Sequence, residues 1–304
     1  MKKKTIGHFS PKKAFNKNMT VTITHPEKII IPPFITKNHI VTYYEKISPM
    51  MVPYMKDHPL MMQRFPQGIE GEAFFQKNAS PFFPSWIKRV QIPKEGGYTN
   101  TVVCQNRATL LYLANLNCLT PHLWLSRFDK LHFPDRLIID LDPSGDDFNH
   151  VRQIALSFKE LFDSFNLISF VMTTGSRGLH VTVPLDRSVD FAQIKEFISS
   201  CSLQIEQKHP SIVTREIHKE KRGGKVFIDE ARNNYGSTAV APYAIRGRAH
   251  GPIATPLHWH EVEDETLHSQ LYTLETIFKR IETIEDPWKD FLQIKQSLSH
   301  LVKK

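Results

Sequence analysis

The sequence predicts an α+β fold, in which a mixed sheet that carries carboxylates is covered by helices and packed against an N-terminal subdomain. Its centre alternates strand-like with helix-like segments, and the chain contains no internal repeat. The 304 residues, 40% of them hydrophobic, suffice for one large domain or two ordinary ones. We expect four parts without a flexible linker: a basic arm at 1–20, an N-terminal subdomain at about 21–130, a central core at about 131–260 and C-terminal helices at about 261–304.

The individual elements follow from the spacing of apolar residues. Ile40, Tyr43 and Ile47 recur at helical intervals and predict an early helix within 38–55. The proline-rich segment 79–97 is expected to be irregular and to lead into a strand pair. Apolar stripes and alternating runs further predict helices at 107–118, 147–165 and 190–207, strands at 136–141, 167–173, 179–185, 211–217, 224–230 and 238–246, and two helices in the tail from about 264.

Charge and cysteine content narrow the class of protein. The chain has 39 Lys and Arg against 31 Asp and Glu, a net charge of +8, which favours a polyanionic partner, nucleic acid before membrane. Three cysteines without a close pair argue against a disulfide framework. The basic start lacks the apolar run of a secretory signal, and no segment reaches the roughly 20 apolar residues of a membrane span. We therefore expect a cytoplasmic protein without a membrane partner.

The segment "RLIIDLDP" at 136–143 places two carboxylates at the tip of an apolar strand. Because strand side chains alternate, Asp140 and Asp142 share the face opposite to the apolar residues. Two like charges on one face repel each other unless a cation lies between them. Asp229 in "KVFIDEARNN" is the natural third carboxylate, and such an all-oxygen set suits Mg²⁺ or Mn²⁺. The Asp-x-Asp pair alone could equally be a solvated strand end.

The segment "TTGSRGLH" at 173–180 has the composition of an anion-binding turn. It offers backbone N–H groups, hydroxyls and a guanidinium in one turn, which suits a triphosphate. Taken alone, it could be an ordinary hairpin with a surface arginine, and His180 could be a core histidine. Four further basic residues crowd the strand of Asp229 and the next one, where they could also form a solvated basic face: Arg222, Lys225, Arg246 and Arg248.

These motifs together resemble the polymerase domain of bacterial ligase D, a branch of the archaeo-eukaryotic primase superfamily that acts in non-homologous end joining. The resemblance rests on "RLIIDLDP", "TGSRGLHVTVPL", "GKVFIDEARNN", "TAVAPYAIRGR" and "PIATPLHWHEV", which occur in this order. Upstream, "THPEKIIIP", "RFPQGIEGEAFFQKN" and "HLWLSRFDKLHFPDRL" also match in order and spacing. The resemblance covers about residues 20–290. It implies a primase-polymerase fold over 21–304, with the catalytic core in the central part of that range.

The resemblance implies a template-directed nucleotidyltransferase that fills gaps or extends 3′ ends at DNA double-strand breaks, with a preference for ribonucleotides. Two Mn²⁺ or Mg²⁺ ions would be held by Asp140, Asp142 and Asp229. The incoming NTP would be bound by Thr174, Ser176, Arg177, His180, Arg246, His122, Phe74 and Phe75. Of these, His122 would lie near the ribose, and the two phenylalanines would stack on a base, although core packing is the usual role of such a pair. A 5′-phosphate on DNA would be bound by Lys28 and Lys17.

The chain also departs from the family pattern. Family members commonly carry Lys where Arg177 stands and Ser where Thr174 stands, and both changes keep the charge or the hydroxyl. Gln63 occupies the place of a basic residue, which weakens one expected template contact. The sequence lacks the Lys-x-Asp-Gly motif of a ligase, so we expect a stand-alone polymerase or a single domain. Its implied partners are gapped or template-primer DNA, DNA ends, a Ku-type end-binding protein and a separate ligase, at the nucleoid.

Two other functions remain open on the sequence alone. One is an Asp-x-Asp metal phosphoesterase, in which Asp140 would be the nucleophile. That class expects Thr or Val after the second aspartate, whereas Pro143 follows here. The other is a non-catalytic protein that bridges broken DNA ends through Lys28 and the basic arm.

Overall fold

The computed structural model of the chain describes residues 21–145 and 147–302. The strands are β1 (Ile29–Ile31), β2 (Ile35–Thr36), β3 (Leu60–Arg64), β4 (Phe74–Gln76), β5 (Arg89–Lys94), β6 (Gly97–Val102), β7 (Cys118–Trp124), β8 (Arg136–Pro143), β9 (Phe170–Thr173), β10 (Leu179–Pro184), β11 (Val213–Thr214), β12 (Val226–Asp229), β13 (Thr238–Val240) and β14 (Pro256–Leu257). The α-helices are α1 (Lys37–Met55), α2 (Arg107–Asn115), α3 (Phe148–Ser164), α4 (Phe191–Lys208), α5 (Trp259–Val262) and α6 (Ile277–Thr283). The predicted basic arm at 1–20, including Lys17, lies outside the described residues.

Two sheets form the framework. The larger has the strand order β11-β12-β8-β10-β9-β14 and is antiparallel except for the parallel pair β11–β12. The smaller has the order β13-β7-β3-β4, so a strand from the predicted central core completes a sheet of the N-terminal part. Two hairpins, β1–β2 and β5–β6, stand apart from both sheets. One mixed sheet and one antiparallel sheet, flanked by helices, confirm the predicted α+β class.

One face of the larger sheet is covered by α3 and α4. Helix α3 begins after Asp147, whose side chain accepts a hydrogen bond from the Asn149 N–H, as expected of a helix cap. Its inner stripe, with Phe158 and Phe162, packs on the apolar face of β8. Because side chains alternate along β8, burial of this face turns the aspartates toward the opposite side. Helix packing thus fixes which side of the sheet carries charge.

A second core lies between α1, α2 and the smaller sheet. The Tyr44 hydroxyl of α1 donates to the carbonyl of Leu119 on β7 and accepts from the Ile245 N–H at 3.1 Å. Thr120, next along β7, donates to the Ile245 carbonyl at 2.6 Å. These bonds hold the segment after β13 against the smaller sheet. The strand predicted at 238–246 therefore ends at Val240, since the following residues bond to α1 and β7 instead.

The tail differs from its prediction. Residues 264–302 contain one α-helix, α6, where two helices were expected. Leu267 and Leu271 pack on the core of the larger sheet, whereas Leu274 and Phe278 pack on the other core. The segment crosses from one core to the other. The regular spacing of these residues therefore does not mark one face of a helix. The two-helix prediction is wrong for this reason.

Two predicted absences can be compared with the described residues. The three cysteines, Cys104, Cys118 and Cys201, are buried and free, as their spacing predicted. Among the helices of the described ranges, none is both long and apolar enough to cross a bilayer.

Candidate active site

Strands β8 and β12 bring the three predicted carboxylates together. Their antiparallel register pairs Asp229 with Asp140, and Asp142 follows two residues along β8 on the same face. All three line one cavity of about 590 Å³ that lies between the two sheets. Six of the eight predicted nucleotide-binding residues line the same cavity: Thr174, Ser176, Arg177, His180, Arg246 and His122.

Of the other two predicted nucleotide contacts, Phe75 lies beside His122 of the cavity, and Phe74 lies on the opposite face of the strand. Phe74 and Phe75 belong to the edge strand β4 and are 41% and 55% exposed. This exposure excludes core packing as the role of the pair. The Phe75 ring lies 5.8 Å from the ring of His122, edge to face. The Arg64 guanidinium lies 5.3 Å from the centre of the Phe74 ring.

Arg232 is the residue that the sequence interpretation missed. Its Nη2 atom lies 2.8 Å from Asp140 Oδ2 and 3.1 Å from Asp229 Oδ2, so one guanidinium joins both carboxylates. A single 3₁₀ turn over Glu230–Asn233 carries Arg232 back to the end of its own strand. The signal in the sequence was the spacing Asp-x-x-Arg directly after a strand. Asp142 has its own partner, because Arg177 Nη2 lies 2.9 Å from Asp142 Oδ2.

Burial and neighbouring charges shift the pKa values of Asp140 and Asp229 in opposite directions. Burial alone would raise the pKa of Asp140, but His180 and Arg232 more than offset it and hold that pKa well below its usual range. His180 Nε2 lies 3.4 Å from Asp140 Oδ1. At Asp229 burial prevails over Arg232 and, together with repulsion from Asp140, raises the pKa of that carboxyl. Asp140 is therefore the firmly ionised member of the pair.

Burial lowers the pKa values of two basic side chains that line the cavity, Arg246 and His122. Burial lowers the pKa of Arg246 to about 10, with repulsion from Arg248 adding to the effect, so Arg246 stays cationic at neutral pH. Burial also lowers the pKa of His122 to about 3, with further contributions from Arg246 and Arg232. His122 is therefore neutral at pH 7.

The turn between β9 and β10 is organised from within. The Thr174 hydroxyl accepts from the N–H groups of Ser176 and Gly178, at 3.3 and 3.2 Å. These two N–H groups are thus used inside the turn, although the sequence suggested that they would be free to bind an anion. Gly175 has a positive φ of 63°, and a Cβ there would lie 2.8 Å from Arg246 Cγ. Ser176 and Arg177 remain as cavity-lining groups.

The family of the chain can now be stated. Residues 36–288 match the family described as LigD, primase-polymerase domain. The chain belongs to this family. The primase-polymerase fold and the resemblance drawn from the motifs are thereby confirmed.

Several known proteins are similar to this LigD-family chain. The multifunctional non-homologous end joining protein LigD of Mycolicibacterium smegmatis is 34% identical over 251 residues, which are 81% of this chain and 33% of that protein. The bifunctional non-homologous end joining protein LigD of Bacillus subtilis is 30% identical over 276 residues, 88% of this chain and 44% of that protein. The chain thus spans one third to under one half of these relatives.

A solved structure shares the fold. It is the polymerase domain from Mycobacterium tuberculosis ligase D in complex with DNA, with a TM-score of 0.86 and 28% sequence identity. The likeness covers 91% of this chain and 99% of that domain.

Lys28, the predicted phosphate contact of this LigD-family chain, lies outside the cavity. Its Nζ donates to the Pro66 carbonyl at 2.7 Å and to Gln67 Oε1 at 3.2 Å. Lys37, at the first turn of α1, is only 4% exposed, and its backbone N–H donates to the Lys28 carbonyl. Burial, followed by repulsion from Lys28, lowers the pKa of Lys37. Two lysines that repel each other form a basic pair at this position.

Arg232 should determine the stability of the carboxylate cluster. We expect Arg232→Gln to lower the free energy of unfolding at pH 7 by about 2–3 kcal/mol, since the side chain is 32% exposed and a fully buried pair would cost more. The lowered pKa of Asp140 contributes stability that is fully present above the unfolded value of about 4, and this stability is lost progressively as the pH falls from there toward the lower pKa of the folded state. The difference between wild type and variant should therefore narrow on acidification.

Urea denaturation at pH 7, 5 and 3.5 measures this difference. Arg107→Gln is the matched control, because Arg107 pairs with Glu45 on the surface, where both are exposed, and such a pair contributes about 0–1 kcal/mol. Equal losses for the two variants would contradict the role of Arg232.

Proposed function

We propose that this chain is a template-directed nucleotidyltransferase that extends 3′ ends and fills gaps at DNA double-strand breaks. The observation that carries the proposal is the composition of one cavity, where three carboxylates face a wall of arginines. A carboxylate cluster suits divalent cations, and the arginines suit the phosphates that those cations bind. The relatives' names refer to non-homologous end joining, which supports this process for the chain. Membership of the LigD primase-polymerase family supports the reaction class.

Asp140, Asp142 and Asp229 would hold two Mn²⁺ or Mg²⁺ ions. Their donor set is all oxygen, which is the chemistry that these hard ions require. Among the described residues, no group of three His, Cys, Asp or Glu side chains has metal-binding spacing. Arg232 joins Asp140 to Asp229, and Arg177 donates to Asp142 alone. The positive charge that Arg232 and Arg177 place beside the carboxylates supports the proposal that these positions suit a cation. Bound divalent ions would activate the attacking 3′-hydroxyl and neutralise charge on the phosphates.

The arginines of the cavity would hold the triphosphate of the nucleotide. Arg246 lies on the wall opposite the carboxylates, next to Arg248, and the repulsion between them favours an anion nearby. Arg177 and Ser176 lie at the turn that Thr174 organises. Planar guanidinium groups bind phosphate oxygens through paired hydrogen bonds, which suits a triphosphate better than single lysines would. The exposed ring of Phe75 would stack on the base, beside His122.

His122 supplies a physical reason for a ribonucleotide preference. Its Nδ1 lies 3.2 Å from the Thr120 carbonyl, and a carbonyl only accepts, so Nδ1 carries the proton. The neutral ring then leaves Nε2 as an acceptor, which would take a hydrogen bond from a ribose 2′-hydroxyl. A deoxyribose has no such donor. Selection of the sugar would therefore depend on His122 remaining neutral.

The carboxylates should be needed for nucleotide addition and dispensable for DNA binding. We expect Asp142→Asn and Asp229→Asn each to slow primer extension at least about 100-fold, because the cations that they hold supply several kcal/mol of transition-state stabilisation. Affinity for DNA should stay within about twofold, since it rests on Lys and Arg contacts to phosphate. Extension with Mn²⁺ or Mg²⁺ and a gel-shift titration measure the two properties.

Asp163→Asn is the control, because Asp163 pairs with Lys159 on the outer face of α3. If both cavity variants still extend primers, the metal assignment is wrong. Release of phosphate without extension by the wild type would favour the phosphoesterase. A gel shift without any product would favour the end-bridging protein.

The His122→Ala variant should lose selectivity for the sugar. We expect incorporation of ribonucleotides to fall about five- to tenfold, the value of one hydrogen bond, while that of deoxynucleotides changes little. Single-nucleotide incorporation with rNTPs and dNTPs in parallel measures both. His268→Ala, at an exposed histidine, serves as the control. An equal loss on both substrates would show that His122 does not recognise the sugar.

Lys28 should bind a terminal 5′-phosphate downstream of a gap. Charge-assisted hydrogen bonds to phosphate contribute about 1.5–3 kcal/mol, so Lys28→Ala should weaken binding of 5′-phosphorylated gapped DNA about tenfold or more. Binding of the same DNA with a 5′-hydroxyl should change little. Fluorescence anisotropy on both substrates measures this, with Lys195→Ala on the outer surface of α4 as the control. Equal losses on both DNAs would make Lys28 an ordinary backbone contact.

A further inference from the structure

A second, smaller cavity lies behind His180, on the side away from Asp140. It has a volume of about 10 Å³ and is lined mainly by apolar residues of both sheets. His180, Ala239 and Val240 line this cavity as well as the large one, so these three residues lie between the two. A volume of about 10–15 Å³ is what one water molecule requires. The cavity is therefore of the size to hold a single water.

Two buried polar atoms at this cavity lack a partner within the described chain. They are His180 Nδ1 and Thr182 Oγ1. Both residues belong to β10, two positions apart and so on one face, and are only 4% and 1% exposed. A buried polar atom without a hydrogen bond destabilises the fold, so both atoms require a partner. Arg136, which also lines the cavity, is already bonded to Asp135 and His58.

We propose that Thr182 is a positioning residue for His180, acting through one water molecule held between Thr182 Oγ1 and His180 Nδ1. The other ring nitrogen, Nε2, lies 3.4 Å from Asp140 Oδ1. A carboxylate only accepts, so Nε2 is the donor side of the ring in that contact, and in this tautomer Nδ1 is an acceptor. The water donates to Nδ1, and the Thr182 hydroxyl fixes the orientation of the water. Thr182 thereby keeps the donor of His180 directed into the active-site cavity.

Valine and serine at position 182 separate the hydroxyl from the shape of the side chain. Thr182→Val keeps the volume and removes the hydroxyl, while Thr182→Ser keeps the hydroxyl. Thr101→Val is the control, because Thr101 is also a buried threonine of a strand but belongs to the β5–β6 hairpin. Any general cost of replacing a buried threonine by valine appears in this control.

The tautomer of His180 is the decisive measurement. Long-range ¹H–¹⁵N correlation spectra of protein labelled at histidine report which ring nitrogen carries the proton, and His180→Gln assigns the signals. We expect the Nε2–H tautomer in wild type and Thr182→Ser, and a mixture of tautomers in Thr182→Val. An unchanged His180 signal in Thr182→Val would overturn the proposal. So would a crystal structure of the wild type without a water bonded to both atoms.

A kinetic measurement relates the tautomer of His180 to the proposed function. The inference rests on the proposed function in this measurement alone. The KM for the nucleotide should rise about fivefold in Thr182→Val, the value of one hydrogen bond, with recovery in Thr182→Ser. If the spectra change as expected but no form of the protein extends primers, the proposed function fails and the role of Thr182 stands. If wild type extends primers and Thr182→Val has the wild-type KM and tautomer, the role of Thr182 fails alone.

Discussion

Repulsion among three carboxylates is the constraint to which the rest of the site responds. The apolar face of β8 must be buried under α3 and α4, and this leaves Asp140 and Asp142 on the other face, beside Asp229. Carboxylates so close together are stable as ions only if positive charge is supplied. Arg232 and Arg177 supply it from two different segments, and His180 places a hydrogen-bond donor beside Asp140. The basic composition of the chain thus has a structural role in addition to any role with nucleic acid.

The position of the site between two sheets follows from contacts far from it. Arg246 lies on a segment that Tyr44 and Thr120 hold through Ile245. Gly175 allows Arg246 to pass close to the turn between β9 and β10. The N-terminal sheet therefore positions part of the wall that faces the carboxylates. Helix α1 is connected to this wall through the hydrogen bonds of Tyr44.

Much of this could be predicted from the sequence, and the rest depended on the three-dimensional structure. Alternation along β8 and β12 gave the shared face of the aspartates, because strand periodicity is a local property. Arg232 was missed because its contact with Asp140 depends on a 3₁₀ turn and on the pairing of strands distant in sequence. The turn at Thr174 was identified from its composition. That the Thr174 hydroxyl would accept hydrogen bonds from the N–H groups of the turn could not be predicted in this way. Periodicity failed in the tail, where Leu271 and Leu274 contact different cores.

The path of the tail has a consequence for how the molecule unfolds. After leaving the core of the larger sheet it buries Trp288 and Phe291 in the other core, and it then returns to place Leu298 in the first. The same short segment therefore contributes buried side chains to both cores, and its release from one core would disturb its packing in the other. Local opening is therefore coupled between the halves, and the two should melt as one cooperative unit. Residues 264–302 thus link two separate hydrophobic interiors.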